Sequence, residues 1–329
     1  MSSTETVRTD LARTSGAAGG APVGPPPAPR RRRGSGSPRW AAAAFLVPLV
    51  VYLLAFYAYP LWRNIDLSLH DYTPRAFVQG DPEFVGLDNY RDLVASGRLG
   101  TAVRNTAFFT LVSLLFQYVI GLALAVFFRR NFPLSNVLRG LFLVPWLLPL
   151  IVSASTWSWM LNSDRGIVNS VMQAFGLGGI NWLTSPDTAL VAVTIANIWL
   201  GIPFNLVILY SGLQNIPGDL YEAASVDGAS RWQEFRLITW PLLKPVTAVT
   251  LLLGLIYTLK VVDVIWIMSR GGPADASTTL AIWSYRMAFG TGQPAFSPAA
   301  AVGNLLILLA LVGGMFYLHV QRRQREAAS

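Results

Sequence analysis

Six apolar stretches limit what this chain can fold into: Trp40–Pro60, Asn105–Phe128, Leu141–Leu161, Thr188–Leu213, Val246–Met268 and Ala299–Leu318. Each is long enough, at about 20 residues, to cross the roughly 30 Å hydrocarbon layer as a helix. In lipid only helices and closed barrels satisfy every backbone N–H and C=O. Five stretches carry no charge, and Val246–Met268 holds Lys260 and Asp263. The expected fold is therefore an all-α polytopic membrane protein with six transmembrane helices. The first stretch exceeds a signal-peptide core and five more follow it, so cleavage is not expected. Trp40, Trp62, Trp159, Trp182 and Trp283 fall at or near stretch ends, where interfacial aromatic belts form.

The charge balance first suggests nucleic acid, with 25 basic residues against 17 acidic ones and a net charge of +8. Its distribution says otherwise. With a cytoplasmic N-terminus, the inside segments hold 16 of the 25 basic residues, among them Arg30–Arg33, Arg129, Arg130, Arg139, Arg231, Arg236 and Lys244, and only seven acids. The outside segments hold eight basic residues and nine acids. This is the positive-inside asymmetry of a multi-pass protein of the cell membrane, with both termini cytoplasmic. No nucleic-acid partner is needed to explain it.

The remaining composition narrows the chemistry. Charged residues make up 13% of the chain, about half the share in soluble domains. There is no cysteine and there are only two histidines, His70 and His319, so disulfides, thiolate nucleophiles and a histidine-built metal centre are not expected. No GxxxxGK[ST] phosphate loop occurs, so the chain does not bind ATP in that way. No cofactor and no enzyme activity are expected. An ion-coupled secondary transporter is the alternative, but such proteins place acids in the pathway, and here Asp263 stands by itself beside Lys260.

Residues 1–39 are rich in Gly, Pro, Ala and Ser and lack apolar periodicity, which predicts a disordered cytoplasmic tail ahead of a permease domain over 40–329. Its Arg30–Arg33 run reads as a solvated topology signal, with anionic membrane lipid as a second reading. Asp88–Val94 is expected as a short amphipathic helix on the outer face. Pro48, Pro145, Pro149 and Pro203 lie inside spans, and each should kink its helix. Such breaks are tolerated where a helix faces protein or a water-filled cavity.

The loop 214–245 is the longest inside segment between spans. Asp219 is placed to cap a short helix, Leu220–Asp227, with Glu222 completing a capping box and Gly228 closing it in the left-handed conformation. Ser230 then caps a second helix with Gln233 at its third position, and Pro241 and Pro245 mark the turn into the fifth span. Ala223 and Ala224 give the first helix a small-residue face. The unit is too short to bury a core and is built as a peg for another protein.

Glu222-Ala223-Ala224, Asp227-Gly228-Ala229, Phe235, Ile238, Pro241 and Pro245 resemble the EAA loop of ATP-binding-cassette importer permeases. Phe84 to Tyr90, Arg104-Asn105-Thr106, Asn197 to Gly201 and Gly271-Gly272-Pro273 resemble the carbohydrate-uptake branch, in particular the larger membrane subunit of maltose-type importers. One departure is Trp240, where the motif usually has Leu. The resemblance covers roughly residues 40–323. It implies a type I importer core of the MetI-like kind. It further implies a cytoplasmic ATPase dimer docked on the EAA helix, a second permease chain forming a heterodimer, an extracytoplasmic sugar-binding protein and a sugar cargo. By the same resemblance the solute path maps onto Trp199, Leu200 and Gly201 in span four and Tyr257, Thr258 and Val261 in span five. The additional N-terminal spans and large outer insertion of the maltose-type subunit have no counterpart among these residues.

Lys260 and Asp263 are spaced to meet on one helical face, and two readings stand: a self-neutralising structural pair, or polar groups lining the path. The loop charges yield a direct test of topology. Reporter fusions at Gly218 and at the C-terminus should report cytoplasmic, and one at Gly80 extracytoplasmic; a C-terminal fusion reporting outside refutes the six-span arrangement.

Overall fold

The computed structural model describes residues 39–130, 132–290, 292 and 294–326. The expected tail, with Arg30–Arg33, lies outside the described residues except for Arg39, which opens helix Arg39–Leu53. That helix belongs to a first unit ending at Leu53, and a second unit begins at Leu54. Among the described residues, five helices are long and apolar enough to cross a membrane, and a bent pair brings the number to six. Their ranges are Leu46–Leu69, Arg98–Phe128, Ala189–Gln214, Arg231–Leu259 and Phe296–Met315, with the pair Ser135–Leu147 and Leu150–Met160; each overlaps one of the six apolar stretches, with ends that differ by up to 15 residues. Helix Asp88–Ala95 forms where it was expected. The departure from all-α is a two-residue antiparallel ladder, His70–Asp71 on Glu83–Phe84.

The second and fourth spans pack most extensively against each other. The buried face of Arg98–Phe128 reads Asn105, Thr106, Phe109, Thr110, Ser113, Gln117, Gly121, Ala125 and Phe128, an i, i+3, i+4 stripe of mostly small or polar residues. The opposite face presents Leu111, Leu115 and Val119, each more than half exposed. This inverts the soluble pattern, because lipid tails solvate leucine as well as a core does. Helices associate here through close approach and hydrogen bonds. Gln117 Nε2 donates to the Asn197 carbonyl at 2.8 Å and Asn197 Nδ2 to Ser113 Oγ at 3.0 Å. At Gly121 an added Cβ would stand 2.5 Å from Asn205 Cβ.

Two spans are discontinuous: the third, where proline kinks were expected, and the fifth, where none was. The third breaks at Leu148–Pro149, with a 95° bend between its halves. Proline excludes its predecessor from the helical region, and Leu148 sits at φ −74°, ψ 142°. Pro145, two residues before the last helical residue Leu147, stays within its helix, as does Pro203. The fifth span ends at Leu259 and resumes as helix Asp263–Met268. At its other end it starts earlier than expected. The second helix of the inside loop does not turn at Pro241 but runs on through a π-helical segment, Phe235–Thr239, into Trp240–Leu259. Pro241 lacks an N–H and cannot continue the i→i−4 ladder; the wider turn, with Trp240 N donating to the Phe235 carbonyl, carries the helix past it.

Outside the spans, the loop after the fifth is clasped by the start of the second. Asn105 Nδ2 donates to the carbonyls of Asp275, Ala276 and Thr278 at 3.2, 3.0 and 3.1 Å, and Arg286 Nη1 holds Asp275 Oδ1 at 2.7 Å. Thus Arg104-Asn105-Thr106 and Gly271-Gly272-Pro273, distant in sequence, serve one junction. Packing of the second on the fourth span is testable. Gly121→Leu should destabilise the purified protein by about 1–3 kcal/mol through overpacking, read as a lower unfolding midpoint in detergent. Gly100→Ala in the same helix, which meets open space, should leave the midpoint unchanged or raise it slightly, since alanine favours the helix over glycine.

Candidate functional site

Two sites emerge in the second unit: a cavity among the spans and a peg in the loop 214–245. The cavity has a volume of about 360 Å³ and is lined by Gln117, Trp146, Leu150, Asn197, Leu200, Gly201, Phe204, Gly254, Tyr257, Thr258, Val261, Asp263 and Val264. Both helix breaks abut it. Leu150 is the first helical residue after the third-span break, and Val261 lies within the fifth-span break. Irregular backbone is tolerated at such places because a cavity hydrates it.

Of the eight residues assigned to the path, Leu200, Gly201, Tyr257, Thr258, Val261 and Asp263 line this cavity. Trp199 does not. It is half-buried, edge-on to Trp157 with ring centroids 6.0 Å apart. Lys260 is also outside the lining, with Nζ 4.9 Å from the centre of the Tyr257 ring. The break of the fifth span removes the common helical face on which Lys260 and Asp263 were expected to meet. Among the described residues neither joins an ion pair, and both are exposed.

Gln117, Trp146, Leu150, Asn197, Phe204, Gly254 and Val264 complete the lining. Gly201 explains how Gln117 reaches it, since an added Cβ there would stand 2.2 Å from Gln117 Cδ. Trp146, Phe204 and Tyr257 form an edge-to-face series, with centroids 6.4 and 5.8 Å apart. Aromatic faces beside amide, hydroxyl and carboxylate groups suit a solute with both C–H faces and hydroxyls. The amide of Gln117 in an otherwise apolar stretch was the sequence signal for this wall; the aromatic series had none, because aromatics are common in every span.

The peg is helix Asp219–Val226. Its N-terminus differs from expectation. Gly218 occupies the N-cap and no side chain caps the helix, so Asp219 and Glu222 lie in the first turn, where their charge favours the helix dipole without a capping box. The C-terminus forms as expected, with Gly228 at φ +77°. Ala229 N donates to the Ala224 carbonyl at 2.9 Å and Gly228 N to Ser225 at 3.1 Å, the paired bonds of a Schellman closure. Ser230 and Gln233 form the expected capping box. Glu222, Ala223, Asp227, Gly228 and Pro241 are exposed, while Ala224, Ala229, Phe235 and Ile238 are half-buried. Ile238 and Tyr221 pack on an apolar cluster of Phe128, Leu213, Ile216 and Leu243 that roots the peg.

Residues 117–326 match the family described as "Binding-protein-dependent transport system inner membrane component". The chain belongs to that family. It is a multi-pass membrane component of a transport system that depends on a binding protein. Among its relatives, the trehalose/maltose transport system permease protein of Thermococcus litoralis is 36% identical over 85% of this chain and 93% of the relative. The lactose transport system permease protein of Rhizobium radiobacter is 30% identical over 85% and 94%. A crystal structure of a bacterial ABC transporter involved in import of the acidic polysaccharide alginate contains a chain with a TM-score of 0.73. It is 27% identical and covers 86% of this chain and 96% of its own.

Separation of Lys260 from Asp263 has a measurable consequence. Single Lys260→Ala and Asp263→Ala changes should affect thermal stability additively in the double variant, to within about 0.5 kcal/mol, as for residues without direct contact. A coupling well above that would show that the two charges pair in the folded protein.

Proposed function

We propose that this chain is the permease subunit of an ATP-driven carbohydrate importer. Solute delivered by an extracytoplasmic binding protein passes along the cavity walled by Gln117, Leu200, Gly201, Tyr257, Thr258, Val261 and Asp263. A cytoplasmic ATPase dimer docks on Glu222, Ala223, Ala224, Asp227, Gly228 and Ala229, with Phe235, Ile238 and Pro241 behind them. A second permease chain completes the pathway, and both termini of this chain lie in the cytoplasm. The relatives' cargoes support the sugar class, and the inside excess of positive charge supports the orientation.

The observation that carries the reading is the peg. It is an exposed eight-residue helix, closed at one end by Gly228 and rooted at the other by Ile216, on a chain without its own phosphate loop. Work from ATP hydrolysis then has to arrive through contact with another subunit, and a small-faced rigid helix is suited to that contact.

Gly228→Val tests it. A β-branched residue in the left-handed conformation costs about 1–2 kcal/mol, although an added Cβ meets no neighbour within 4 Å. The variant should insert in the membrane yet retain the ATPase poorly during detergent purification. Uptake of labelled maltose, trehalose and lactose into vesicles should fall at least tenfold, and Glu222→Ala should do the same more weakly. Normal ATPase retention with normal uptake in Gly228→Val refutes the coupling role.

A further inference from the structure

Three groups meet behind the peg that the docking surface does not use. Arg129 is the residue that caps the C-terminal end of the second span, and its guanidinium Cζ lies 3.6 Å from the centre of the Tyr221 ring. Tyr221 belongs to the peg, directly before Glu222. Its hydroxyl pairs with Thr239 Oγ1 at 2.9 Å, and Thr239, 3% exposed, is the last residue of the π-helical segment that feeds the fifth span. One side chain of the peg is therefore held on its face by the end of the second span and at its tip by the start of the fifth.

We propose that Arg129, Tyr221 and Thr239 form a strut that transmits displacement of the peg to the cavity. Arg129 and Thr239 are its positioning residues. This rests on the reading of the peg as the ATPase contact. Both held helices run from the strut to the cavity wall. The second carries Gln117, about 18 Å along the helix from Arg129 at 1.5 Å per residue; the fifth carries Tyr257 and Thr258. A guanidinium stacked on a ring holds it over a wide contact, and the Tyr221–Thr239 bond fixes the far end. The peg cannot shift without moving both span ends or breaking these contacts. A cleft of about 740 Å³ beside the strut, lined by Arg130, Ser225, Arg231 and Glu234 among others, leaves room for such a shift.

The chain has no cysteine, so a cysteine placed at Thr258 reports the cavity cleanly. The intact transporter, purified with its ATPase, is treated with a water-soluble thiol reagent with and without ATP and vanadate. With the strut intact, the labelling rate at this position should change at least fivefold on nucleotide trapping. In Arg129→Ala and in Tyr221→Phe the change should fall below twofold while the ATPase still co-purifies, and Arg129→Lys should restore part of it. Tyr221→Phe keeps the packed ring and loses only the hydroxyl contact, so it separates transmission from folding. An undiminished response in both variants, with the ATPase bound, overturns the strut. Loss of the ATPase in Arg129→Ala also overturns it, placing Arg129 in docking instead. Absence of any nucleotide response with the strut intact overturns the coupling reading and the strut with it.

Discussion

The packing of the second span against the fourth is the contact on which the rest of the structure depends. In a lipid solvent apolar burial does not drive helices together, so their association has to come from close approach and hydrogen bonds. Gly121 and Gly201 provide the approach, each with no room for a Cβ beside Asn205 and Gln117 respectively. Gln117, Asn197 and Ser113 provide the bonds. The same amides that join the helices also line the cavity. Gln117 and Asn197 thus belong both to the helix contact and to the cavity wall.

The breaks in the third and fifth spans follow from that arrangement. An interrupted helix leaves N–H and C=O groups without partners, which lipid would penalise by several kcal/mol each. Here Leu150 and Val261 place both interruptions at the cavity. The break in the third span is forced by Pro149 acting on Leu148. That in the fifth has no proline; the helix ends at Leu259 with Lys260 as its C-cap and restarts at Asp263. Two charges in an apolar stretch thus coincide with a non-helical turn and do not pair across a helical one.

At the other end of the spans the peg is rigid by local means and rooted by distant ones. Its closure at Gly228 and the capping box at Ser230 are made by residues within a few positions of each other. Its anchorage depends on Phe128 and Arg129 from the second span, more than 90 positions away in sequence. The π-helical segment before Pro241 makes the peg's second helix and the fifth span one continuous element, so the peg is joined to the wall of the cavity without an intervening hinge at that proline.

The sequence by itself determined the number of spans, their limits to within a turn for the fourth, the Gly228 closure and the Ser230 cap. Each depends on local composition or spacing: apolar length against a fixed bilayer thickness, or residues three and four apart on one turn. The sequence also misplaced two local features of the inside loop. Asp219 gave up the cap position to Gly218, and Pro241 was absorbed where a turn was expected. The Trp146–Phe204–Tyr257 series, the displacement of Trp199 onto Trp157, the separation of Lys260 from Asp263 and the grip of Arg129 on Tyr221 were decided only by tertiary structure. Helix rotation and the position of a break fix which side chains face a common space, and those depend on which glycine admits which neighbour across the interface, a relation between distant residues that no local pattern encodes.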